Sequence, residues 1–216
     1  VKLYLPFLRE IEVKFKENSC RIESTDGFFD LGHVIEKGDE KDENIVSIFF
    51  RKQKILEINI NLLAKMNEDF KDTNLVRCLT CMGVGKNVQE VLFPVHPTSD
   101  FSINDQELCI FMEFSCIKRD IPVVIIIEHN SEFVYGNIDV IPAGKSENYH
   151  RTFVHVILLD HKQLLEHVQG TSEYKFFLYL LNGRKLAEGV FRIRREKLSY
   201  GKKYPDLYSY HFDEKI

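Results

Sequence analysis

The sequence predicts a mainly β protein, and three observations carry that prediction. Phe occurs seventeen times and Trp not at all, with Val, Ile and Tyr recurring in short clusters. Such β-branched and aromatic side chains fit a pleated, half-buried surface. From residue 107 onward, short apolar runs alternate with polar connections (KRD, HNS, PAGKSEN, EHVQGTS), a spacing that suits a sandwich or barrel better than βαβ units. Residues 173–193, EYKFFLYLLNGRKLAEGVFRI, then read as a hairpin around Asn182-Gly183.

In the first ninety residues, strands are predicted over 9–15, 19–24, 28–35, 44–50 and 54–60. Thr25-Asp26-Gly27 marks a turn between the second and third. One helix is predicted over 61–70 (NLLAKMNEDF), where Asn61 supplies a cap and Leu62, Met66 and Phe70 fall four apart on one face. Turn-rich pieces follow from 71 to 106 around a short apolar run, Leu75 to Met82. The segment 94–106, with Pro94, Pro97, Asp100, Asn104 and Asp105, is the expected boundary between two units.

Beyond it, strands are expected over 107–117, 121–128, 132–141 and 151–160, followed by the hairpin. Residues 105–118 also fit an all-round apolar helix, in which Leu108, Phe111, Met112 and Cys116 share a face. Asn182-Gly183 suits a two-residue type I′ turn, because both central positions need positive φ. That turn sets Leu178 opposite Ala187, Phe176 opposite Gly189 and Tyr174 opposite Phe191, large against small. Tyr174, soon after Gly170, stands where the tyrosine corner of an immunoglobulin-like sandwich would lie. The expected organisation is therefore a β-rich α+β unit over 1–93, an immunoglobulin-like β-sandwich over 107–197 and an aromatic, basic tail over 198–216.

Composition narrows the function. A 216-residue chain with 44% apolar and 29% charged residues buries a core like an ordinary globular protein. Its longest apolar run, Val123 to Ile127 after Ile121-Pro122, is too short to span a bilayer, so no membrane partner is expected. The net charge of −4 disfavours general nucleic-acid affinity. Charge is uneven, however: eight Lys or Arg against two Glu between Arg184 and Lys203 leave about +6 locally. Five cysteines, an odd number with no scaffold spacing and no leader before them, suggest an intracellular setting, cytoplasmic or nuclear.

No arrangement of residues supports catalysis or cofactor binding. Cys78-Leu79-Thr80-Cys81 is a lone CxxC without the second pair that a zinc site needs, so structural cysteines are expected. Gly83-Val84-Gly85-Lys86 lacks both the spacing and the hydroxyl residue of a phosphate loop and reads as a glycine-bearing turn. Among the histidines, His155 shares a predicted strand face with Phe153 and Ile157, and only His129, His150 and Asp160 could gather at a sandwich edge. No catalytic residue, metal ligand or cofactor is therefore assigned.

What remains is a non-catalytic interaction or scaffolding module, an adaptor that meets another protein through sheet edges and an aromatic patch. The residues expected at that surface are Phe177 and Tyr179 on the outer hairpin face, Arg184, Arg192 and Arg194 beside them, and Tyr204, Tyr208 and Tyr210 of the tail. The alternative is a nucleic-acid-associated protein that uses the same basic face with Lys202 and Lys203.

Overall fold

A computed structural model describes residues 1–32, 45–59, 74–88, 91–105, 107–115, 117, 120–141, 152–158, 164 and 170–195. The chain is mainly β, with four sheets among the described residues. The amino-terminal part contributes β1 (Lys2–Tyr4), β2 (Glu10–Phe15), β3 (Asn18–Glu23), β4 (Phe28–Asp30), β5 (Ile45–Phe50) and β6 (Gln53–Asn59). β1 pairs with β4, and the others form a sheet in the order β3-β2-β5-β6. Strict alternation explains β2: Ile11, Val13 and Phe15 are buried while Glu10 and Lys14 are exposed. β5 and β6 are joined by Arg51-Lys52, a two-residue turn with φ of 48° and 68°.

The remaining strands are β7 (Asn74–Lys86), β8 (Leu92–Pro97), β9 (Asp100–Ser102), β10 (Cys109–Ser115), β11 (Ile121–His129), β12 (Glu132–Ile141), β13 (Thr152–Leu158), β14 (Thr171–Leu180) and β15 (Lys185–Arg194). They make two sheets, ordered β13-β10-β7-β8 and β12-β11-β14-β15-β9. β10 settles the ambiguity over 105–118 in favour of a strand. The turn-rich segment 94–106 carries most of β8 and all of β9, and strands from both sides of it, β7 before and β10 and β13 after, share the first of these sheets. Gly83 to Lys86 form the end of β7 and not a turn. The predicted helix over 61–70 and the tail over 198–216 lie outside the described residues, and no helix element stands among the described ones.

One apolar cluster runs through the described fold, from Leu3 and Val13 to Met112, Ile125, Phe176 and Ile193. β11 explains its own sequence: Val123, Ile125 and Ile127 on one face and Val124 and Ile126 on the other are all buried. A strand covered on both faces reads as an unbroken apolar run, and each such side chain contributes about 1.5–3 kcal/mol on burial. The second face is closed by the amino-terminal part. Phe7 stacks on Phe133 at 6.1 Å and lies over Gly136, while the Tyr4 N–H donates to the Leu181 carbonyl at 2.6 Å.

The hairpin keeps its predicted pairs, Leu178 with Ala187, Phe176 with Gly189 and Tyr174 with Phe191. The Phe176 ring occupies the space where a Gly189 side chain would begin, so the large-against-small pairing is a packing requirement. The turn differs from the expectation. Only Gly183 has positive φ (88°); Gly183 N–H donates to Leu180 O, and Leu180 N–H donates to Arg184 O. This is a three-residue loop, and a bulge at Leu178/Tyr179 restores the register that the extra residue would have shifted. Two-residue turns with both φ positive occur instead at Arg51-Lys52 and Asn130-Ser131.

Candidate interaction surfaces

The hairpin's outer face is not an open aromatic patch. Phe177 and Tyr179 are half-buried and 6.3 Å apart, and Tyr4 meets Tyr179 edge-on at 5.1 Å. Phe28 sits against Tyr4 at 4.5 Å and closes over the turn glycine, Gly183. The amino-terminal strands therefore cover much of what the sequence left for a tail or a partner to cover.

The arginines are divided. Arg192 pairs with Glu173 at 2.9 Å and Arg194 with Asp100 at 2.8 Å, which offsets the local basic excess. Arg184 is exposed in the turn loop, at the other end of β15. Tyr204, Tyr208 and Tyr210 lie outside the described residues. The structure thus brings Phe177 and Tyr179 together, places Arg192 beside Arg194 along one strand, and keeps Arg184 apart from them.

A different surface stands out. β7 pairs with β10 only as far as Cys81, and from Gly83 to Lys86 it pairs with β8 alone. The result is a two-stranded arm beyond the end of β10. Its base is fixed by glycine: the Phe93 ring fills the place of a Gly85 side chain. Its far end is apolar and exposed, with Val88 fully open, Val91 52% and Phe93 41% exposed. Asn87 organises that end, its Oδ1 accepting from Val91 N–H at 2.9 Å while its N–H donates to Val91 O at 3.0 Å. Sequence reasoning missed this arm because two glycines near a lysine were taken for a turn. The available signal was KNVQEVLF, a polar loop flanked by apolar residues.

The sheet edges differ in how open they are. On the edge strand β12, the N–H groups of Ile138 and Val140 donate to the preceding side chains Asn137 and Asp139 at 2.9 and 2.8 Å. Those donors are therefore occupied by the strand's own side chains. β8, another edge strand, carries Pro94 and Pro97, which have no backbone N–H to offer. β15 is covered by β9 only from Arg192 to Arg194, so Lys185 to Phe191 have no partner strand on that side among the described residues.

Several of the described polar side chains engage one another. Cys78 and Cys81 lie three apart on one strand and so face opposite sides, which rules out a CxxC chelate between them. Burial pushes the Cys78 thiol up to about 12. His129 Nδ1 lies 2.9 Å from Glu173 O and its Nε2 lies 3.1 Å from the Asn130 amide, so both nitrogens are engaged; His150 and Asp160 lie outside the described residues. Among the described residues no three metal-ligating side chains converge. An open groove lined by Arg9, Glu10, Glu23, Ser24, Thr25, Asp26 and Phe28 has several of its polar groups bonded to one another. Arg9 there holds the Thr25 carbonyl, and Asp26 accepts from Ser24 and from Phe28 N–H.

Neither a protein-family model nor a curated protein matches the sequence. Among solved structures the chain is similar to an immunoglobulin-like protein from Pseudomonas aeruginosa, at 14% identity and a TM-score of 0.34, over 57% of this chain and 97% of that one.

Proposed function

We propose that this protein is a non-catalytic interaction module, in which an immunoglobulin-like sandwich over 74–195 presents the β7–β8 arm to another protein. Two features support the sandwich reading. The sheet orders, β13-β10-β7 and β12-β11-β14-β15, follow the E-B-A and C′-C-F-G orders of such domains. Tyr174, on the strand equivalent to F, donates its hydroxyl to the buried Leu164 carbonyl at 2.9 Å, as a tyrosine corner does.

The observation that carries the binding reading is the apolar end of the arm. Val88, Val91 and Phe93 stand exposed on a ribbon only two strands wide. An isolated two-stranded ribbon is marginal in water, and contiguous exposed apolar side chains mark a contact surface. The open stretch of β15 offers a second, strand-adding surface. The nucleic-acid reading loses support, because Arg192 and Arg194 are committed to acidic partners.

Photo-crosslinking from position 88 tests this reading, with a control from exposed Glu17. The expected result is one partner captured from position 88 alone. Its binding, measured with purified components, should weaken at least ~10-fold in Phe93→Ala or Val88→Asp. Equal capture from both positions, or unchanged affinity in both variants, would sink it.

A further inference from the structure

We propose that Cys81 and Cys109 form a reversible dithiol–disulfide couple at the base of the β7–β8 arm, oxidised by a low-molecular-weight disulfide. The two residues are direct register partners on adjacent antiparallel strands, and both are fully buried. Directly opposed residues in such a ladder have Cα atoms roughly 4.5–5.5 Å apart, within the roughly 4.4–6.8 Å that a disulfide spans. Their side chains therefore leave the sheet on the same side and meet without any backbone shift. Cys81 Sγ also lies 3.1 Å from the Gly83 carbonyl, to which its thiol donates. The bridge would join two strands of one sheet, unlike the link across two sheets that antibody domains carry.

The surroundings suit a gated thiol pair. Cys81, Cys109 and Phe111 form a small cluster of their own on the sheet's outer side, separate from the main core. Its partly buried cover includes Val84 and Leu92, both on the arm. Arg77 lies over Phe111 at 5.3 Å and pairs with Glu113 at 3.3 Å, bordering the same cluster. Loosening the arm thus uncovers the sulfurs, and local opening of a thin two-stranded ribbon is the least costly motion available there. The Cys109 thiol beside it lowers the Cys81 thiol, against the effect of burial; contact with Cys81 and burial push Cys109 up. Cys81 lies on the strand that runs on into the covering arm, so opening the arm frees it first: it is the attacking sulfur and Cys109 the resolving one.

The step balances as two exchanges. The Cys81 thiolate attacks the small disulfide and releases one thiol, leaving a mixed disulfide. Cys109 then loses its proton, attacks the Cys81 sulfur and releases the second thiol. The protein loses two hydrogens and two electrons, and the small disulfide is reduced to two thiols. The product ties the start of the arm to β10.

The test equilibrates the whole folded chain in glutathione redox buffers, and separately refolds it from urea in the same buffers so that burial cannot block exchange. After denaturation and alkylation, the expected oxidised species is lighter by about 2 Da before alkylation, the mass of two hydrogens. It yields one peptide linking Cys81 to Cys109, melts several degrees higher than the reduced form, and is absent in Cys81→Ala and in Cys109→Ala. Full alkylation of both residues after refolding in the most oxidising buffer would overturn the proposal. So would a link that joins either one to Cys20, Cys78 or Cys116.

Discussion

The Phe28 ring reaches to 2.7 Å from the point where a Cβ on Gly183 would stand. The same glycine has φ of +88°, a region that L side chains avoid. Gly183→Ala therefore strains the backbone and displaces the ring that shields Tyr4. A loss of about 1–3 kcal/mol is expected in urea unfolding. Ala at Gly170, where φ is also positive but the space is open, should cost less.

Tyr174→Phe removes the donor that the buried Leu164 carbonyl accepts and leaves the ring's packing in place. The expected cost is about 1–2 kcal/mol by thermal or urea unfolding. Burial raises the Tyr174 phenol above its usual value. The variant should therefore also remove a late-titrating tyrosine from the alkaline absorbance curve.

Arg51 and Lys52 hold φ of 48° and 68° in a two-residue turn that favours Asn-Gly. Replacing the pair with Asn-Gly should stabilise the fold by about 1 kcal/mol, by relieving left-handed strain. Unfolding in urea would show the midpoint moving up with the slope unchanged; a lower midpoint would refute the assignment.

Asp26 accepts from Phe28 N–H and from the Ser24 hydroxyl, in that order of effect, and its carboxyl is held below its ordinary value of 3.8. A depressed folded pKa contributes stability that is present above the ordinary value and lost as pH falls through the depressed one. Stability should thus drop as pH falls from ~4 toward ~2, and Asp26→Asn should flatten that part of the profile. Identical profiles for the two proteins would show that the shift has no effect on folding.

Much of the strand content was legible because burial leaves a period. β2 alternates, β11 is apolar from Ile121 to Ile127, and the hairpin sets large residues against glycine and alanine, so each announced its surroundings. What the sequence hid was long-range pairing. Asp100–Ser102 looks like turn material, yet it runs parallel to Arg192–Arg194, held by the Asp100–Arg194 ion pair. Nothing local encodes a partner that far along the chain. Gly83 and Gly85 misled for the opposite reason: glycine marks turns, but also strands that must admit Glu107 or the Phe93 ring. The surroundings of the expected surface residues were hidden in the same way. Phe177 and Tyr179 were expected to meet a partner, and the segment packed beside them, with Tyr4 and Phe28, stands far from them in sequence. Spacing sets Cys81 near Cys78, whereas register sets it opposite Cys109, which spacing does not reveal.

The contact between Tyr4 and Leu181 also sets an order of events during synthesis. The strands that cap the β14–β15 hairpin leave the ribosome well before their docking surface does. Until then Tyr4, Phe7 and Phe28 have only a small sheet to rest on, and the core they complete does not exist. A fold closed by segments so far apart in sequence folds slowly and exposes apolar surface meanwhile. Yield in the cell should therefore follow the supply of chaperones more closely than the stability of the finished protein.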